Sequence, residues 1–215
     1  MAVIFPRWTN YIPLGLAVAG PVVLGSVIFA FWYWGSPKFL EVGYQPDQPV
    51  AFSHKLHAGE LGLDCRYCHN TVEVAAHAAI PPTATCMNCH TKVRTDSAKL
   101  AKVRTSWQTG KPIEWVKVHM LPEYAYFDHS VHVAAGVGCT SCHGRIDQME
   151  VVSQAEPLSM SWCLDCHRNP GEAIRPADIA VTQMDWVAPE GHNLTKSRVG
   201  GREVNPPQHC SGCHR

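Results

Sequence analysis

The sequence predicts a mainly α-helical protein with extensive loops. One N-terminal transmembrane helix precedes a small domain that cannot rest on an ordinary apolar core. Three observations predict this. An uncharged stretch between Arg7 and Lys38 holds a 23-residue apolar run, Ile12 to Trp34, and about 20 helical residues cross a bilayer core. All 10 cysteines fall into five C-x-x-C pairs, each followed at once by histidine. A leader of the form F-x-H-x-x-H occurs twice ahead of those pairs, first at Phe52 and again at Phe127. With 18 basic and 18 acidic side chains, the net charge of zero gives no reason to expect a nucleic-acid or polyanion binder. The 16 glycines and 16 prolines make loops plentiful without the period of a collagen, and the composition fits neither a coiled coil nor a disordered tail.

The first element is the anchor. A cleavable signal peptide has a shorter apolar core and a small-residue cleavage site. This run instead ends in Phe29, Phe31, Trp32, Tyr33 and Trp34, which read as an interfacial aromatic belt. Phe5, Trp8 and Tyr11 supply the opposite belt. The expectation is an uncleaved single-pass anchor over residues 1–37 and a second domain over 38–215. Arg7 and the terminal amine on the short side favour an N-terminus inside. Pro21 is expected to kink the helix, as membrane helices tolerate. Small residues at Gly15/Ala19 and Ala17/Pro21/Gly25 have the spacing that admits a close neighbouring helix, and equally that of ordinary membrane-helix composition.

The cysteine pairs come next: Cys65/Cys68 with His69, Cys86/Cys89 with His90, Cys139/Cys142 with His143, Cys163/Cys166 with His167, and Cys210/Cys213 with His214. C-x-x-C-H is the attachment pattern of c-type haem. The two thiols add across the two haem vinyls, and the following imidazole meets the iron from the proximal side. Five covalently bound c-type haems are therefore expected, with those five histidines as proximal iron ligands. Zinc ribbons need C-x-x-C units in pairs, and five is odd. A redox dithiol occurs once. Neither requires a histidine after every pair, and no cysteine is left for a disulfide or a lipid anchor. Haem is attached on the outer side of a bacterial cytoplasmic membrane, so the domain after Lys38 is expected on the periplasmic side. That agrees with the charge argument.

The leaders define two modules, 52–90 and 127–167, with a lone terminal haem motif at 210–214. Phe52, His54 and His57 are matched by Phe127, His129 and His132. Histidines at i and i+3 project from one side of a helical turn and can reach two adjacent irons, or one iron and one propionate. His54, His57, His129 and His132 are thus candidate distal ligands, joined by His77, whose counterpart is Gln154, and by His119. Met149 and Met160 are the alternative sixth ligands and would raise a potential, although packing is the plainer reading for both. His192 and His209, in a Pro/Gly/Asn-rich tail, read as exposed. Six distal histidines for five irons make bis-histidine, low-spin, closed sites the default.

The remaining elements follow from haem rather than from periodicity. Five haems in the part of the chain that follows the anchor leave little room for a conventional core, so the porphyrins should supply much of the apolar interior. Short helices should hold the motifs and leaders. The clearest independent helix is Asp96 to Trp107, with Asp96 near the N-cap and Leu100, Val103 and Trp107 on one face. Lys92 to Lys117 holds seven basic residues and two acidic ones. Such a stretch can face propionates, lipid headgroups or a partner, or be a solvated face. Each ferric bis-histidine c haem adds about one negative charge, so the loaded protein should be a polyanion of roughly five charges.

The leader resembles that of multihaem class III-like cytochromes. There the first histidine ligates its own module's haem and the second crosses to a neighbour. By that resemblance His54 would serve the haem at His69, and His129 the haem at His143. The fuller pattern is the anchor, Ile80-Pro81-Pro82 before Cys86-Met87-Asn88-Cys89-His90, Trp115 through His119 and Leu121-Pro122 into the second leader, Met160-Ser161-Trp162-Cys163, and the closing Cys210-Ser211-Gly212-Cys213-His214-Arg215. This resembles the pentahaem cytochrome c subunit of bacterial alternative complex III. The resemblance implies an electron-transfer subunit, not an enzyme by itself, relaying electrons from quinol oxidation to periplasmic cytochrome c or a terminal oxidase. It implies integral membrane subunits, an iron–sulfur subunit and a monohaem cytochrome c as partners. The pentahaem nitrite reductases have one motif ending in lysine, and none does here. The other class considered is the membrane-anchored multihaem quinol dehydrogenase, which oxidises quinol itself at a haem close behind its anchor. The first motif here starts only at Cys65, well beyond Lys38, which weakens that reading.

Overall fold

A computed structural model describes residues 4–215; the terminal amine invoked for orientation lies outside them. The chain divides into two compact units, the first ending at Glu41 and the second running from Val42 to Arg215.

In the first unit a helical turn, Arg7–Tyr11, leads into α1, Ile12–Trp34. The helix takes in the whole apolar run and continues through Pro21. A segment this apolar, whose mean hydropathy reaches 2.2 over an 18-residue window within Arg7–Trp34, does best where its backbone groups bond one another, as in a helix. It is long and apolar enough to cross a membrane and buries none of its own side chains. Its aromatic end is packed locally. Phe29 stacks on Tyr33 with centroids 5.8 Å apart, and Tyr33 meets Phe39 of α2, Pro37–Leu40, at 5.7 Å.

The second unit is built of short helices joined by long loops, with isolated bridges and no extended sheet among the described residues. The helices are α3 (Cys65–Cys68), α4 (Thr83–His90), α5 (Ala101–Thr109), α6 (His129–Ala135), α7 (Thr140–His143), α8 (Met160–Arg168) and α9 (Cys210–Cys213). Five of these, α3, α4, α7, α8 and α9, hold the cysteine pairs. Side chains start several of them. The Asp64 carboxylate accepts from Arg66 N at 2.9 Å, Asp128 from Ser130 N at 2.8 Å, and Ser159 Oγ from Trp162 N at 3.4 Å. Gly136, at φ +101°, ends α6 in the left-handed region.

Val50, Met87 and Val103 form a small apolar cluster joining α4 to α5, with Cys86, Leu100, Ile113 and Trp115 around it. The helix expected over Asp96–Trp107 is shifted. A single turn, Ala98–Leu100, precedes α5, which runs on to Thr109 and ends at Gly110, φ +69°. Asp96 caps nothing, because Arg104 Nη1 donates to the carbonyls of Thr95 and Ser97 at 2.8 Å and holds that stretch as a loop. The buried face is Val103 and Ser106, while Trp107 is 52% exposed. Ser106 belongs inside because its hydroxyl pairs with Thr83 Oγ1 at 2.6 Å and donates to the Lys111 carbonyl.

The two modules interlock. The first leader forms a wide helical turn, Lys55–Glu60, against the turn that follows the third motif, and Lys55 N donates to the Met149 carbonyl at 3.0 Å. A Cβ on Gly59 would stand 2.3 Å from the Asp147 carbonyl oxygen, so this approach needs glycine.

Candidate functional site

Each cysteine pair sits on one helical turn with its histidine at the end of that turn. The backbone N of His69, His143 and His214 bonds back to the carbonyl of Cys65, Cys139 and Cys210 at 2.9, 3.0 and 2.9 Å. This brings two thiols and an imidazole to one side of each short helix.

The imidazoles share one orientation. Nδ1 of His69 donates to Ala79 O at 2.8 Å, of His90 to Val93 O at 3.0 Å, of His167 to Pro207 O at 2.8 Å and of His214 to Tyr124 O at 3.0 Å. In the leaders, His57 Nδ1 donates to Ser53 O at 2.8 Å, His132 Nδ1 to Asp128 O at 2.7 Å and His129 Nδ1 to Ala76 O at 2.8 Å. A carbonyl only accepts, so the proton of each ring is held on Nδ1 and the lone pair is left on Nε2. A metal-ligating imidazole is held the same way, its other nitrogen donating to a fixed acceptor.

The rings are also paired. His57 and His90 have centroids 6.3 Å apart, His129 and His143 6.5 Å, and His132 and His167 6.1 Å. A metal–imidazole bond is about 2 Å long and a ring nitrogen lies about 1 Å from its centroid, so two imidazoles facing one metal stand about 6 Å apart. The spacing therefore fits one iron between each pair. Among the described residues no three His, Cys, Asp or Glu side chains converge as a bare metal ion would require. The donor set suits a planar group gripped from both faces. His54 adds a further sign: its buried Nδ1 has no hydrogen-bond partner. Burial foremost, then neighbouring His69 and His57, pushes its pKa down to about 4.

The leader phenylalanines play a part that their identity alone did not signal. Phe52 packs edge-on to His54 at 4.8 Å and flat on His57 at 4.4 Å; Phe127 packs edge-on to His129 at 4.7 Å and at a tilt on His132 at 4.5 Å. The signal available was the F-x-H-x-x-H spacing, preserved in both copies.

Imidazoles gather most densely at the third motif. Burial, then His119, His129, His69 and His54 in turn, pushes His143 down to about 3. His119, expected as a distal candidate, stands against the His143 ring: its Nε2 is 3.4 Å from His143 Nδ1 and the rings meet edge-on at 4.4 Å. Burial lowers the pKa of His119 and of His132 as well. Burial raises the Cys142 thiol to about 12, with Cys166 and Cys163 adding to it. Arg175, 2% exposed, was not legible in the sequence. Its guanidinium donates to Thr140 Oγ1 at 2.8 Å and to the carbonyls of Ala180 and Gln183, and it lies over the Trp186 ring.

Other candidates fall elsewhere. His77 is exposed in the loop after the first motif, its carbonyl accepting from Thr71 Oγ1 at 2.8 Å. Met160 opens α8 at 67% exposure, and the Met149 sulfur accepts from Ser153 Oγ at 3.9 Å. His192 Nε2 donates to the Ile174 carbonyl at 2.6 Å, so it is half-buried and engaged rather than exposed. His209 is exposed beside its own motif.

Comparison with known proteins agrees with this geometry. Over 127 residues, 58% of this chain, it is 32% identical to the menaquinone reductase multihaem cytochrome c subunit of Nitratidesulfovibrio vulgaris, and the match spans 59% of that protein's length. The family described as cytochrome c7 and related cytochrome c matches residues 50–106 and 125–215, both leaders and every C-x-x-C-H motif included. With covalent c-type haem as the cofactor which that family implies, this mainly helical chain belongs to the cytochrome c7 and related cytochrome c family.

Proposed function

We propose that this chain is the membrane-anchored pentahaem electron-transfer subunit of a bacterial respiratory complex of the alternative complex III type. It would pass electrons from menaquinol oxidation to a periplasmic cytochrome c or a terminal oxidase. The observation that carries the reading is the pairing of Nδ1-anchored imidazoles, at 6.3, 6.5 and 6.1 Å. The ten cysteines would hold five haems, with His69, His90, His143, His167 and His214 on the proximal side. His54, His57, His129 and His132 would close the distal sides of the sites at His69, His90, His143 and His167. When bound, the haems supply one-electron redox chemistry. The chain's own part is to clamp both axial faces, which leaves no iron position for a substrate at these four sites and argues for relay rather than catalysis. Apolar α1 would anchor the chain in the cytoplasmic membrane with its N-terminus inside. The partners would be integral membrane subunits, an iron–sulfur subunit and a monohaem cytochrome c.

Purification from membranes in mild detergent tests this. The proposal expects those partners to co-purify and the assembled complex to couple menaquinol oxidation to cytochrome reduction, with the isolated chain inert toward quinol. An isolated chain that oxidised quinol unaided would place it among the anchored quinol dehydrogenases. The name of the Nitratidesulfovibrio relative favours a second reading, the same relay run toward menaquinone. Net menaquinone reduction by the complex would select it.

A further inference from the structure

The order in which the five motifs follow one another in space differs from their order in the sequence. The second motif adjoins the first: Asn88 Nδ2 donates to Tyr67 OH at 3.0 Å, and on one leader His57 faces His90 while His54 lies near enough to His69 to be perturbed by it. The first adjoins the third. Thr182 Oγ1 donates to Asp64 Oδ2 at 2.9 Å just before Cys65, while the preceding Val181 carbonyl accepts from Cys139 N at 3.0 Å. From the other side, Ala76 O of the loop after the first motif takes both the backbone N and Nδ1 of His129, at 3.1 and 2.8 Å. The third adjoins the fourth through α6, whose His129 faces His143 and whose His132 faces His167. The fourth adjoins the fifth: Pro207 O accepts from His167 Nδ1 at 2.8 Å and Gln208 Nε2 donates to His167 O at 3.3 Å, just ahead of Cys210. The cysteines follow the same succession. Each thiol lies close enough to perturb its neighbour's: Cys68 is perturbed by Cys86, Cys65 by Cys139, Cys142 by Cys166 and Cys163, and Cys163 by Cys213. Of the ten cysteines, Cys89 and Cys210, in the second and fifth motifs, are exposed.

We propose that electrons cross this chain through the motifs in the order second, first, third, fourth, fifth, and that the second and fifth motifs are the two ends at which redox partners dock. The proposal rests on the pentahaem relay reading and deepens it. Each hop oxidises one ferrous site and reduces its ferric neighbour by one electron. No bond forms or breaks. Electrons are supplied by the quinol-side partner at one end and leave to a one-electron acceptor at the other. The duplication explains why sequence order misleads: each leader ties its own module's two motifs, and the first motifs of the two modules meet in the middle. The second motif is thereby pushed to the outside.

The test uses the full haem-loaded chain in detergent, with a ruthenium polypyridyl photosensitiser on a single introduced cysteine and a sacrificial donor, at dilutions where intermolecular transfer is slow. Pyridine haemochrome first counts the haems. Fewer than five in the unmodified chain overturns the relay reading and the order with it. With the sensitiser at Lys92→Cys beside the second motif, the double variant Cys65→Ser/Cys68→Ser should keep four haems, of which one quarter reduces in the fast phase. Fast reduction of all four overturns the proposed order and supports sequence order. Where that variant fails to mature, Cys86→Ser/Cys89→Ser with the sensitiser at Asn205→Cys separates the two paths. The proposed order predicts fast reduction of all four remaining haems, and sequence order predicts three of the four.

Discussion

His143 is distinguished from the other C-x-x-C-H histidines by what holds its Nδ1. Four of them donate to backbone carbonyls, whose position is set by the chain, whereas His143 faces the imidazole of His119 at 3.4 Å. A hydrogen bond from a ligating ring raises its basicity and favours the ferric iron. Replacing His119 by Ala should therefore raise the midpoint of one haem by about 40 mV, the one-electron equivalent of about 1 kcal/mol. His119→Gln, which keeps an acceptor, should restore much of it. Redox titration followed by electron paramagnetic resonance reads the shift, and five unchanged haems would remove His119 from the account. His54 sets a pH dependence. Burial disfavours the charged ring and holds the folded pKa below the usual 6.5, at about 4 for the chain alone, and ligation of iron through the neutral ring lowers it further. The unfolded chain therefore binds more protons between those values, and stability should fall as pH drops from 6.5 toward 4. Urea midpoints at pH 7 and pH 5 check this; a midpoint equal or higher at pH 5 would contradict it. None of these residue-scale facts could be read in the sequence. His119 reads as one more distal candidate, and spacing cannot tell that its Nε2 comes to His143 Nδ1. The anchoring acceptors Ala79, Val93, Pro207 and Tyr124 act through carbonyls that carry no side-chain signature.

Among the elements, what was legible depended on whether composition or packing decides the outcome. Helix α1 spans Ile12–Trp34, the apolar run itself, because an uncharged stretch of that length has no better way to satisfy its backbone. Helix α5 was misplaced because propensity and a plausible Asp cap pointed to Asp96, whereas Arg104 ties down the carbonyls before it and the Ser106 hydroxyl finds partners inside. The repeat in the leaders was visible, yet its two copies differ in detail: the first is a wide turn and the second is α6. Helix α6 depends on Gly136. A Cβ there would lie 3.3 Å from Arg198 Cβ, and φ is +101°. Gly136→Ala should cost about 1–2 kcal/mol and, by disturbing the helix that carries both His129 and His132, should broaden the low-spin signals of two haems together. Chemical denaturation and electron paramagnetic resonance measure the two effects, and an unchanged midpoint would show that α6 tolerates the strain.

At the scale of the molecule, the second unit buries few apolar side chains of its own. Its buried apolar residues, Val50, Met87, Val103, Val118, Ile174, Val181 and Met184, are scattered between Val50 and Met184, and only Ile174 is fully enclosed. A chain of that size normally buries most of its unfolded surface in one core, so covalent haem must complete the interior. Chain produced without haem attachment should lack cooperative unfolding and give a disordered circular dichroism spectrum from residue 42 onward; a sharp thermal transition in that material would contradict a haem-completed core. This also explains why the mainly helical class was legible while the path of the loops was not. The cysteine motifs fix where the groups attach, but their mutual arrangement arises from long-range bonds such as Thr182 to Asp64. The most direct test of the central claim is the intact mass of the full chain, with pyridine haemochrome on the same sample. Five covalently attached haems on every chain is the predicted result. Four or fewer, or any of the ten cysteines titrating as a free thiol, would contradict it.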